Sequence, residues 1–153
     1  ADERLDGLGL VLLQKGVAGS RPSRWIDPAL MDAALDDPGG RVGTTLAKLT
    51  RTEFFTSIIA ASELRFGAVK RNSPRLSRRV ADVLSIVEVK PFVTPGDEHY
   101  ARVRLALERT GSPIGANDLL IAAHALAERA VLVSANTREF SRVPGLKLEN
   151  WLS

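Results

Sequence analysis

With 153 residues, 44% hydrophobic and 25% charged, the chain has the makeup of one globular domain large enough for a true core. It has no cysteine and two histidines, His99 and His124, which excludes disulfides, cysteine catalysis and a histidine-built zinc site. A metal here would be a hard, oxygen-ligated ion such as Mg²⁺ or Mn²⁺, and the net charge of +3 with a pI near 9.7 is compatible with a nucleic-acid partner.

Residues 1–24 read as an N-terminal extension of undecided order. Gly7, Gly9, Gly16 and Gly19 punctuate it, and Gly19 to Ser23 has linker composition. Leu8 to Leu13 is too short a run to cross a bilayer, and Asp2, Glu3 and Asp6 before it have the wrong sign for a signal peptide. A cytoplasmic protein without membrane contact is expected. The domain proper, 25–153, opens with a short apolar strand that ends at Asp27, an N-cap, with Pro28 at the first helical position. Leu30, Ala33, Ala34 and Leu35 give that helix an apolar stripe, and Pro38-Gly39-Gly40 stops it. Arg41 to Leu49 reads as a second helix.

Glu53 to Ile59 is β-branched and aromatic, which predicts a buried strand. A helix follows from Ala60, and Glu63 lies on it about one turn past the strand, costly to bury without a partner. From Arg65 to Arg79 there are six basic residues and no acid, either a solvated face or a phosphate-contacting rim. Leu76 to Val87 is predicted helical and Val87 to Val93 a strand. Thr94 to Asp97 reads as a capping box for a helix that ends at Thr110-Gly111-Ser112. Asn117 is read as the N-cap of an almost wholly apolar helix, which puts Asp118 at its mouth, where the dipole favours a charged carboxylate. Ala130 to Val133 is a short strand, Asn136 either caps the turn Thr137-Arg138-Glu139 or faces a site, and Leu146 to Leu148 is a last strand. His124, six residues beyond Asp118 and roughly opposite on the helix, reads as a core or interface histidine.

Strands alternating with helices predict an α/β fold with a mostly parallel sheet between helical layers, in which ligands sit outside the carboxyl ends of the strands. Asp27, Glu63 and Asn136 follow predicted strands and Asp118 opens a central helix, so four oxygen donors converge on one edge. Three carboxylates together repel and push a pKa up, and one or two hard cations remove that repulsion.

Three stretches, TSIIAASELRFGAVKR (56–71), GSPIGANDLLIAAHALA (111–127) and LVSANTREFSRVPGLKLENW (132–151), resemble the PIN-domain family and, within it, the VapC-type toxins of toxin–antitoxin pairs. The resemblance covers about 25–152. It implies a three-layer PIN-like fold, RNA cleavage, Mg²⁺ or Mn²⁺ held by Asp27, Glu63 and Asp118, and catalytic help from Asn136, which stands where many members have Asp. Ser134 replaces a common Thr. RNA contacts are expected from Arg65, Lys70, Arg71, Ser134 and Arg138, and Glu139 is either a further acid or a capping residue. An antitoxin partner and a homodimer are implied as well. The first motif departs from the family pattern, because Ile26-Asp27-Pro28-Ala29 stands where Leu-Asp-Thr-Asn is usual. A rival match, Leu5-Asp6-Gly7, lies too far from Glu63. The alternative reading is a PIN-fold binding module with impaired catalysis that dimerises and docks an antitoxin helix on Leu30, Ala33 and Ala34.

Overall fold

The computed structural model describes residues 22–152. Strands β1 (Arg24–Ile26), β2 (Phe54–Ser57), β3 (Glu88–Lys90), β4 (Val131–Val133) and β5 (Leu148–Glu149) form one parallel sheet in spatial order β3-β2-β1-β4-β5. The helices are α1 (Pro28–Asp36), α2 (Arg41–Ala47), α3 (Ile58–Lys70), α4 (Pro74–Ser85), α5 (Gly96–Arg109), α6 (Ala116–Ala127) and the short α7 (Thr137–Phe140). The expected α/β sandwich is present. The Leu8–Leu13 run and the rival Asp6 lie outside the described residues.

Alternation along the strands divides the core in two, as a sheet covered on both faces requires. Trp25, Phe55 and Leu132 point to one face and pack with Val103, Leu107, Leu119 and Ala122 of α5 and α6. Ile26, Phe54 and Val133 point to the other and pack with Leu30, Met31, Val42 and Val83 of α1, α2 and α4. The chain leaves β1 toward one layer and reaches β4 from the other, so the central pair β1–β4 is where the winding reverses. Ile26 pairs with Val133 there, and the Asp27 amide donates to the Val133 carbonyl at 2.9 Å.

Several boundaries differ from the sequence-based expectation, each for a local reason. Strand β2 stops at Ser57 because its hydroxyl accepts from the Ala60 amide at 3.1 Å, which turns Ile58 and Ile59 into the first turn of α3. Helix α6 begins at Ala116 with Gly115 as its N-cap, so Asn117 is inside the first turn and its side chain is free for other work. The capping box at Thr94–Asp97 does not form. Helix α5 starts at Gly96, which leaves Pro95 at the cap and puts Asp97 one residue short of the reciprocal position. The cap read for Asp27 is present: its Oδ1 accepts from the Ala29 amide at 3.1 Å, with Pro28 at the first helical position.

His124 is a core residue, 2% exposed, with the rings of Phe55 and Phe92 each 5.8 Å away. Neither ring nitrogen finds a hydrogen-bond partner among the described residues. Burial therefore lowers its pKa, against a weaker upward pull from Glu128. The native state binds this proton less readily than the unfolded chain, so the stability tied to a neutral His124 is lost as pH falls through its ordinary value. His124→Leu removes two unpaired nitrogens at similar volume. Thermal melts at pH 5, 6, 7 and 8 should show the variant equal to or above the native chain at pH 8, and increasingly above it below pH 6.5. Parallel curves would show that His124 does not titrate on unfolding.

Candidate active site

The carboxyl edge of the β1–β4 pair opens into a cleft of about 280 Å³. Asp27 enters it from the end of β1, Glu63 from the second turn of α3, Asp118 from the first turn of α6, and Ser134 and Asn136 from the loop after β4. Trp25, Ala60, Ile121 and Phe140 make an apolar floor. Short strands ending in caps are what deliver these side chains: each strand stops where a polar residue turns the chain, so the polar residues collect at one edge.

Each acid has a polar neighbour that fixes it. The Ser134 hydroxyl donates to Asp27 Oδ2 at 3.3 Å while accepting from the Asn136 amide at 3.1 Å. The Asn117 side chain hydrogen-bonds Glu63. Asn136 Nδ2 donates to Asp118 Oδ2 at 3.3 Å, so its side chain serves the site and makes no cap bond. Glu139 hydrogen-bonds Asp118 as well. Asn117 and Glu139 thus belong to the site. Asn117 was hidden behind its reading as a cap, and the i, i+3 spacing of Asn136 and Glu139 on a helical turn was the available signal for the other.

Burial is the largest cause lifting the pKa of Asp27, opposed by the Ala29 amide and the Ser134 hydroxyl. It lifts Glu63 too, against the bond from Asn117 and with the Asp27 charge adding to the rise. Asp118 is pushed up to about 7, first by burial and then by the hydrogen bond and charge of Glu139 and the charges of Glu63 and Asp27. Glu139 is shifted down, chiefly by its hydrogen bond with Asp118.

The donor set suits a hard divalent cation, since every polar side chain in the cleft offers oxygen except the amide nitrogens of Asn. As the side chains stand, no three acids or histidines among the described residues close into a ligand cage. Asp118 is turned to Asn136 and Glu139. The residues therefore fit a hydrated ion touched by one or two carboxylates, the habit of Mg²⁺.

Of the residues expected to contact RNA, Ser134 lines the cleft, is 1% exposed and has its hydroxyl engaged with Asp27 and the Asn136 amide. Arg65, Lys70, Arg71 and Arg138 are exposed and lie outside the cleft wall. Arg71 borders a separate groove of about 550 Å³ with Arg75 and Arg78, where Arg79 is already neutralised by Asp32 and Asp36 of α1.

A parallel three-layer sheet with acids gathered at the carboxyl edge of its central strands defines a class of α/β proteins. The PIN domain profile matches residues 29–146. Ribonuclease VapC2 of Rickettsia felis is 43% identical over 96 residues, 62% of this chain and 72% of that one. The tRNA(fMet)-specific endonuclease VapC of Salmonella typhimurium is 36% identical over 104 residues, 67% of this chain and 79% of that one. The crystal structure of VapBC2 from Rickettsia felis, bound to a DNA fragment from its promoter, superposes with a TM-score of 0.74 at 34% identity, covering 84% of this chain and 98% of that one. The chain belongs to the PIN-domain family, among the VapC ribonucleases.

The crowding has a measurable consequence. Because Asp118 holds its proton to about pH 7 when folded, the unfolded chain releases its proton first and stability falls as pH rises from about 4 to 7. In EDTA at pH 8, Asp118→Asn should melt a few degrees above the native chain, on the order of 1–2 kcal/mol after discounting for the group's partial exposure. At pH 4 the two should coincide. Equal melting at both pH values would mean that neither burial nor the neighbouring acids raise the Asp118 pKa.

Proposed function

We propose that this chain is an endoribonuclease toxin that hydrolyses RNA phosphodiester bonds with Mg²⁺ or Mn²⁺. The observation that carries this reading is the meeting of Asp27, Glu63 and Asp118 in one cleft at the carboxyl edge of the sheet. The ribonuclease names of relatives up to 43% identical support it. Asp27, Glu63 and Asp118 would hold the ion, one or two of them directly and the rest through its water. A divalent cation there supplies a water of lowered pKa and offsets charge developing on the scissile phosphate. The chain's own residues do the rest. Ser134 and the Ala29 amide orient Asp27, Asn117 orients Glu63, and Asn136 with Glu139 orients Asp118. The apolar floor of Trp25, Ile121 and Phe140 keeps bulk water from beneath the acids, where a low dielectric strengthens every charge interaction. Arg65, Lys70, Arg71 and Arg138 would bind the RNA backbone.

An antitoxin partner belongs to the same reading, since solved neighbours at 34% and 30% identity are VapBC assemblies bound to DNA. We assign residues 25–153 as the PIN domain, with 1–24 as an extension and a homodimer as its assembly. One observation favours the binding-module alternative: both oxygens of Asp27 are already engaged, one by the helix cap and one by Ser134.

Cleavage of a mixed RNA pool in Mg²⁺, Mn²⁺ and EDTA separates the two. The native chain should cut with either ion and stop in EDTA. Glu63→Gln, Asp118→Asn and Asp27→Asn (which keeps the cap oxygen and removes the charge) should each lower the rate on the order of 10²-fold or more. A folded native chain silent with both ions would leave the binding module as the function.

A further inference from the structure

Helix α3 buries Ala60, Ala61 and Ala68 and packs Ile59 and Leu64 against the cores, yet two large apolar side chains of its C-terminal half face outward: Phe66 is 65% exposed and Val69 74%. A phenylalanine so placed leaves a large apolar area in water. Its position relative to the cleft gives it a use. Glu63 lines the cleft. Phe66 and Lys70, three and seven residues further on, share its flank of the helix, about 4.5 and 10.5 Å along the axis. Gly67, next to Phe66, adds no side chain to the helix surface, and a Cβ there would meet nothing within 4 Å. The Lys70 ammonium sits over the Phe66 ring, 5.8 Å from its centroid.

We propose that Phe66 is a stacking platform for a nucleobase of single-stranded RNA leaving the cleft, with Lys70 and Arg71 holding the adjoining phosphates. This rests on the ribonuclease reading. An exposed ring beside cations is the pairing that unstacked nucleotides use, a π-face for the base and positive charge for the backbone. The charge around the ring argues for this occupant. The segment 65–79 has no acid, and of its six cations Arg79 is neutralised by Asp32 and Asp36 while Arg65 and Arg71 form no ion pair among the described residues. Two copies joined by this face would set cation against cation.

Binding of a labelled single-stranded oligoribonucleotide of ~8 nucleotides, measured in EDTA, reads the platform apart from cleavage. Phe66→Ala should weaken binding about tenfold and raise KM for RNA with kcat little changed. Phe66→Trp should bind like the native chain, with its added indole emission quenched by the oligonucleotide. Val69→Ser should change neither, and Lys70→Ala should weaken binding with a shallower salt dependence. RNA binding by Phe66→Ala within about twofold of native overturns the proposal, as does a native chain that binds no oligonucleotide. If Phe66→Ala and Val69→Ser both keep RNA binding but lose capture of a co-expressed VapB-type antitoxin, the face belongs to that protein and the proposal falls. If the native chain binds through Phe66 yet cuts no RNA with Mg²⁺ or Mn²⁺, the platform stands and the nuclease assignment fails.

Discussion

Burial raises the pKa of Asp27, Glu63 and Asp118 alike, and in each case the fold supplies polar neighbours around the carboxyl group. Two like charges 4 Å apart repel by about 4 kcal/mol at the effective dielectric of a protein surface, a large part of the ~5–15 kcal/mol that holds a domain together. Gathering several acids is therefore tolerable only where the backbone is rigid. That rigidity comes from the central strand pair. The Asp27 amide is tied to Val133 of the neighbouring strand, and Ile26 and Val133 beneath are both fully buried. Ser134, one residue beyond Val133, then reaches back to Asp27. Asp27 is held by the same β1–β4 pairing that organises the two cores, so at that acid, site geometry and fold stability have one origin, while Glu63 and Asp118 reach the cleft from α3 and α6.

The fold was legible because short continuous apolar runs and helix-stop signals are local. Phe54 and Phe55, or Leu132 and Val133, announce a strand covered on both faces without reference to anything else in the chain. The acids were legible for a related reason: each follows a strand or opens a helix, and in a parallel sheet those positions share an edge. Orientation was not legible. Asn117 and Asn136 both have good capping chemistry, and sequence alone favours that local use. In the folded chain Gly115 takes over the cap of α6, and both asparagines turn to carboxylates. Ser134 likewise donates its hydroxyl to Asp27, 107 residues away, a partner that no local pattern announces. At both asparagines a long-range partner outcompetes a local cap, and the sequence does not record which is nearer.

Charge is distributed unevenly over this small molecule, and the unevenness follows from the acids. A polyanion approaching the cleft meets Asp27, Glu63, Asp118 and Glu139, which repel it, so productive approach depends on cations set back from the edge. The stretch from Arg65 to Arg79 supplies them, but not uniformly. Arg79 faces α1, where Asp32 and Asp36 bind it, and that chelated pair joins two helices of the same layer. Its guanidinium is thereby structural and adds little to the outer field. Lys70 and Arg71 stand at the end of the helix that also carries Glu63, close enough to the cleft for one flexible strand to touch both. Under the proposed function, an acidic cleft and a basic flank on a single helix would orient a bound polyanion, its backbone toward the end of α3 and one phosphate among the carboxylates. A hard cation held by those carboxylates would offset both their mutual repulsion and their repulsion of a phosphate, the two penalties that gathering the acids creates in the free chain.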